Sequence, residues 1–322
     1  VRGVTITRAV NMSARPGLPL SVALPPRGPL AYNPFMLPVA PTIAAVRSAV
    51  LSARRVGHRI GFVPTMGALH AGHAELVRVA KKEANFVVVS VFVNPTQFGP
   101  NEDYARYPRT LDADRGISAD AGADLIFAPS TGEMYPPTAV TCVEVAGLDG
   151  VLCGPRRPGH FRGVATVVLK LFNIVQPDVA VFGAKDAQQA IILRKMVADL
   201  NVPVEMVIAP TVREADGLAM SSRNRYLSPA ERALAPRIFA ALSQLRDRVQ
   251  AGETDVPKLE ADLLAAVSVI PGARVDYANI LDADNLTPMT TLDRPALAAV
   301  AVFLGTTRLI DNVILSPRSA SA

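Results

Sequence analysis

Residues 86–93, FVVVSVFV, constrain the fold of this chain more than any other stretch. Ser90 is the one polar residue among them, valine dominates, and no apolar/polar alternation leaves a face for water. A run of this kind is a strand buried on both faces, and burial on both faces is what a parallel sheet between two helical layers provides. Shorter runs of the same type fall at 59–63, 125–128, 179–182 and 204–209. Pro64 is expected to stop the first of them. Helical spacing intervenes at 42–55, 111–121, 164–175 and 187–200, and Leu69, His70, His73, Leu76, Val77 and Ala80 share one more helical period. Strands and helices in alternation predict an α/β fold, a doubly wound parallel sheet.

Past residue 211 the alternation stops. Helices are expected at 229–250 and 256–269, and strands at 274–281, 298–304 and 308–314, which makes a second, smaller α+β domain. At the other end, prolines at 16, 19, 25, 26, 29, 34, 38 and 41 leave no helical or alternating period. Residues 1–41 are therefore read as a disordered extension, with domains at 42–212 and 213–322.

The formal charge of +5 and pI near 9.4 raise the question of nucleic acid. The lysines and arginines are dispersed, with no basic run and no interleaved aromatics, so no nucleic-acid partner is expected. A mildly basic surface equally suits an anionic small substrate. The apolar run at 295–305 is too short to span a bilayer, so no membrane association is expected. The two cysteines, Cys142 and Cys153, lie outside every motif, and no secretory segment is evident. Reduced thiols in a cytoplasm are the expectation.

The chemistry gathers at predicted strand ends. The run from Pro64 to His73, PTMGALHAGH, lies where the first strand turns into its helix, the place where open α/β sheets take ligands. Amides at that helix start favour phosphate, Gly72 allows close approach, and His70 and His73 on one helix face can donate to phosphate oxygens. The same pair also reads as two satisfied histidines at a helix start. The next strand ends in VNPTQF, bringing Asn94 and Gln97 beside the crevice as neutral amides suited to hydroxyl and carboxylate groups, although Asn-Pro alone makes a turn. FGAKD follows a later strand: Lys185 is placed to meet phosphate, and Asp186 either accepts from ribose hydroxyls or caps the next helix. Gln188 and Gln189 come next. The run from Arg213 to Asn224, READGLAMSSRN, joins the two domains and has the character of a glycine-bearing lid over triphosphate.

Taken in order, PTMGALHAGH, VNPTQF, RPGHFRGV, FGAKD, DGLAMSSRN and LGTTRLIDN resemble the pantothenate synthetase, or pantoate–β-alanine ligase, family over about residues 42–315. HxGH alone marks only a wider nucleotidyltransferase group. The resemblance implies a Rossmann-like first domain, a mobile second domain and a homodimer. It implies condensation of pantoate with β-alanine through a pantoyl adenylate, with ATP as substrate, Mg2+, and AMP and pyrophosphate as products. By matching position, ATP would be held by Met66, Gly67, Ala68, Leu69, His70, Ala71, Gly72 and His73. Gly183, Ala184, Lys185, Asp186, Val212, Met220, Ser221, Ser222 and Arg223 would complete that site. Gln97 and Gln189 would hold pantoate, Gln97 would also meet β-alanine, and His73, His70 and Lys185 would be catalytic, His73 as the acid. Four departures stand out: Ala184 where Glu is usual, Ala187 where an aromatic is usual, Thr96 where Met is usual, and Ala113 where some relatives place an acid near magnesium.

Overall fold

The computed structural model describes residues 36–100 and 102–317. The extension expected at 1–41 lies outside the described residues as far as residue 35. Its last part belongs to the fold: β1 (Val39–Ala40) pairs in parallel with a later strand, and Leu37 and Ala40 are buried. The prolines at 38 and 41 bracket this strand, which explains why no period showed there.

Helix α1 (Ile43–Arg55) starts at a Thr42 cap, whose hydroxyl accepts from the Ala45 amide. There follow β2 (Ile60–Thr65), α2 (Ala71–Glu83), β3 (Phe86–Val91), α3 (Leu111–Asp120), β4 (Leu125–Phe127) and the short α4 (Thr131–Met134). Then come α5 (His160–Val175), β5 (Val179–Gly183), α6 (Ala187–Asp199) and β6 (Glu205–Ala209). All six strands are parallel, in the order β1-β4-β3-β2-β5-β6. The sheet grows outward from β2 through β3 to β4, then crosses back to β5 on the other side of β2. That reversal is the switch point at which sheets of this kind open a crevice.

The valines of β3 explain the two-faced burial. Val88 packs with Phe62, Leu171 and Phe172 beneath α1 and α5, while Val87 and Val89 join Val63 and Val77 beneath α2. Pro64 does not end β2, contrary to expectation: it pairs with Ser90, and the strand runs on to Thr65. Thr65 faces β3, accepting there from the Phe92 amide, so alternation turns the donor-less nitrogen of Pro64 towards β5. On that side the ladder has already ended at Phe62–Ala180, and no rung is lost.

The second part holds α7 (Pro229–Leu234), α8 (Pro236–Gln250), α9 (Val256–Ser268), β7 (Ala273–Asp282), β8 (Ala296–Leu304) and β9 (Thr307–Leu315). Its sheet is antiparallel, β7-β8-β9, and packs through Val300, Val302 and Leu309 against Leu242, Leu259 and Leu263. The single helix expected at 229–250 is two. Pro236 cannot donate to residue 232 and would clash with its carbonyl, so it starts a new helix instead.

Candidate active site

The loop between β2 and α2 is fastened from behind. Asp114 of α3 is buried; one carboxylate oxygen accepts from the Leu69 amide at 2.7 Å and the other from Ala68 at 3.1 Å. Thr110 adds a hydroxyl at 3.1 Å. These bonds hold Ala68 in left-handed backbone, φ 52. The amides of residues 68 and 69 are therefore taken up by Asp114, and both side chains are buried. Gly67 donates to the Thr65 hydroxyl. Sequence reasoning saw Asp112-Ala113-Asp114 only as a magnesium neighbourhood; the carboxylate of Asp114 instead sets the loop.

His70 is the cap of α2 rather than part of its face: its Nδ1 accepts from the Gly72 amide at 3.1 Å. An amide only donates, so this Nδ1 carries no proton and the ring proton sits on Nε2. The ring lies so close over Gly72 that a Cβ there would meet it at 2.9 Å, which is the need for glycine at 72. His73 lies 4.2 Å from His70, ring centre to ring centre, and its buried Nδ1 has no partner among the described residues. Burial lowers His70 to about 4, with Lys185 and Arg225 adding to the effect. Burial lowers His73 to about 3, followed by His70 and Lys185. Both rings are neutral near pH 7.

Asn94 is wholly buried and fully engaged. Its Nδ2 donates to Gln97 Oε1 at 3.0 Å and to the Gly163 carbonyl at 3.2 Å; its Oδ1 accepts from Tyr135 and Thr96. It positions Gln97, and it borders the cavity with its own polar atoms already taken. Gly163 lets α5 press on this loop, since any Cβ there would overlap the Thr96 carbonyl.

RPGHFRGV was part of the family pattern, but no role followed from its spelling. His160 of α5 takes hydrogen bonds on both ring nitrogens: Nδ1–H donates to the Gln97 carbonyl at 2.8 Å, and Nε2 accepts from Arg157 at 2.9 Å. A carbonyl only accepts and a guanidinium only donates, so the tautomer follows from the partners. Arg157 in turn grips Glu102 with two bonds of 2.6 Å. Burial and the adjacent Arg157 lower His160 to about 4.

Lys185 is half-buried at the end of β5, 4.0 Å from the more exposed Asp186. Asp186 occupies the cap position of α6 without making a capping bond. Gln188 is structural: its Oε1 accepts from the Cys153 amide, and its Nε2 donates to the carbonyls of Leu148 and Val151. The interdomain segment is a bonded hairpin, with Arg213 bridged to Ala219 and the Met220 amide donating to the Val212 carbonyl. Ser221 caps the turn that follows, and Arg223 pairs with Asp103 at 3.2 Å.

A cavity of about 240 Å³ opens where β2 and β5 part. Met66, His70, Gly72 and His73 line it from one side, with Gln97 beside them. Gly183, Lys185, Asp186 and Gln189 come from the β5 end, and Val212, Met220, Ser221, Ser222 and Arg223 from the interdomain segment. Tyr107, Arg157 and His160 also line it and were not singled out from sequence. Gly67, Ala68, Leu69, Ala71 and Ala184 stay off its wall. A second cavity of about 700 Å³ shares Lys185, Asp186, Gln189 and Arg223, and extends towards β8 and β9. Among the described residues no cluster of three or more His, Cys, Asp or Glu could hold a metal ion.

Neutral imidazoles, cations and amides around a crevice at the ends of parallel strands define an α/β enzyme that handles phosphate and carboxylate anions together. The family model described as pantoate-beta-alanine ligase matches residues 38–314. The pantothenate synthetase of Moorella thermoacetica is 54% identical over 274 residues, covering 85% of this chain and 97% of the relative. That of Stutzerimonas stutzeri is 53% identical over 285 residues, covering 88% and 99%. Among solved structures, pantothenate synthetase from Thermus thermophilus superposes with a TM-score of 0.82 at 47% identity, covering 87% of this chain and 100% of that one. Pantoate-beta-alanine ligase from Francisella tularensis, complexed with beta-gamma ATP and beta-alanine, gives 0.70 at 34% identity, covering 86% and 97%. The chain belongs to the pantoate–β-alanine ligase family and is a carbon–nitrogen ligase.

Proposed function

We propose that this site condenses pantoate with β-alanine at the expense of ATP, through a pantoyl adenylate held between the two sheets. The observation that carries the reading is the convergence of His70, His73, Lys185, Gln97 and Gln189 on one cavity at the strand switch point. A carboxylate is a poor electrophile, and adenylation converts it to a mixed anhydride with a good leaving group. Gln97, its side chain fixed by Asn94, and Gln189 orient the hydroxy acid so that a carboxylate oxygen faces the α-phosphorus. As that oxygen bonds to phosphorus and the bond to pyrophosphate breaks, negative charge grows on the phosphoryl oxygens. Lys185 and the His70 Nε2–H stabilise that charge. An approaching triphosphate raises the low pKa of His73, which lets it serve as an acid towards pyrophosphate. The amine of β-alanine then attacks the acyl carbon, AMP departs, and the amide forms. Met220, Ser221, Ser222 and Arg223 close over the nucleotide and shelter the anhydride from water.

Magnesium belongs here with the triphosphate as part of the substrate. Asp114 is engaged with two amides and a hydroxyl, position 113 is alanine, and no cluster of three or more His, Cys, Asp or Glu stands ready for a metal among the described residues. A homodimer in the cytoplasm is the working form that the family resemblance supports. No helix among the described residues is long and apolar enough to cross a membrane.

The test is a single-turnover reaction with carboxyl-¹⁸O pantoate. ATP, magnesium and pantoate should release about one pyrophosphate per site, the burst expected of an activated intermediate that accumulates. Adding β-alanine should discharge AMP carrying one label. Label in inorganic phosphate, with ADP as product, would establish an acyl-phosphate route and remove the roles given to His70, His73 and Lys185.

A further inference from the structure

Lys185 sits on a short turn between β5 and α6, and nothing on the turn's own side chains fixes it. Ala184 has no polar group, Asp186 makes no capping bond, and the Lys185–Asp186 pair stands 4.0 Å apart. What holds the turn comes from the other sheet. Asn312 of β9 is buried, and its Nδ2 donates to the Ala184 carbonyl at 3.0 Å and to the Lys185 carbonyl at 2.9 Å. An amide NH2 has two protons, and two successive carbonyls take both. Only that face of the amide fits there, since the oxygen would be repelled by both acceptors. The neighbouring Asp311 fixes the strand in turn: its carboxylate accepts from the Asn312 amide at 2.8 Å and grips Arg213 with bonds of 2.7 and 2.9 Å.

We propose that Asn312 is a positioning residue for Lys185, clamping the backbone of its turn from the second sheet so that the ammonium stands where charge develops on the α-phosphate. The clamp reads backbone carbonyls only, so the alanine at 184 leaves it intact. It also makes the cation's placement depend on the docking of β9, which ties adenylation to the seating of the second sheet. This inference rests on the role given above to Lys185.

A double-mutant cycle separates positioning from mere structure. Asn312→Asp keeps the shape and replaces the donor with an acceptor facing two carbonyls. Pyrophosphate release under single-turnover conditions is measured in wild type, Asn312→Asp, Lys185→Ala and the double variant, alongside ATP affinity and melting temperature. Lys185→Ala should slow release by about 10²-fold, the scale for one lost transition-state donor. Asn312→Asp should slow it at least about tenfold in the wild-type background, in line with the cost of small misplacements, and leave ATP affinity within about threefold. In the Lys185→Ala background it should cost less than about twofold, because no cation is left to misplace. Its deficit should also shrink as pH falls and the new carboxyl regains a proton to donate. An equal loss in both backgrounds, or no loss in either, overturns the proposal. Asn312→Ala, which adds no charge, goes through the same cycle and is read the same way if the aspartate variant does not fold. A Lys185→Ala variant of normal rate would instead overturn the role of Lys185 itself.

Discussion

His70, His73 and His160 share one electrostatic condition: burial lowers each, to about 4, about 3 and about 4. Between those values and the ordinary histidine pKa the unfolded chain binds protons that the folded chain refuses. Stability therefore falls as pH drops from about 6.5, and is fully present only above that value. The urea midpoint should decline between pH 6.5 and 5, above the range in which carboxylates titrate, and His160→Gln should flatten the decline. Ring resonances of His70 and His73 should not titrate above pH 5. A flat midpoint, or a ring titrating near 6.5, would contradict the burial argument. On the proposed chemistry the neutral rings offer directed N–H groups before the nucleotide arrives, while Lys185 and Arg223 supply charge. At this scale the sequence spelled out much of the cavity lining, because HxGH and FGAKD place side chains at strand ends beside it. It hid His160, Arg157 and Asp114, whose partners lie 63, 55 and 45 residues away and obey no local period.

Elements were legible wherever burial imposes a period, and illegible at edges. β3 could be read from its valines alone, whereas β1 is two residues long between prolines and is held by pairing to β4. The helix at 229–250 obeyed one continuous apolar period, yet proline chemistry cut it in two. β1 supplies a test. A chain beginning at Thr42 should melt well below one beginning at Met36, because it loses the buried Leu37 and Ala40 and uncovers the edge of β4. At most about 1.5–3 kcal/mol comes from burying a leucine side chain, so a drop of several degrees is the scale expected. Equal melting temperatures would show that β1 contributes nothing to the sheet.

At the scale of the whole molecule, the described residues tie the two sheets by polar contacts alongside an apolar cluster of Leu152, Ile191, Leu281 and Leu297. Arg213 is one of the polar ties: it forms two bonds to the buried Asp311, donates to the Gly217 carbonyl and lies 3.5 Å over the Phe239 ring. Removing the cation strands a carboxylate that is only 4% exposed, so Arg213→Ala should destabilise by about 3–5 kcal/mol in denaturant unfolding. A loss under about 1 kcal/mol would mean that the pair acts as a surface ion pair. The pairing of β2 with β5 ends at Phe62 and Ala180, and the next donor on that side of β2 would come from position 64, which is proline. With no hydrogen to offer, proline cannot add that rung to the ladder. An amide in its place could carry the ladder on towards the cavity, so the missing hydrogen favours strands that part where the pocket begins.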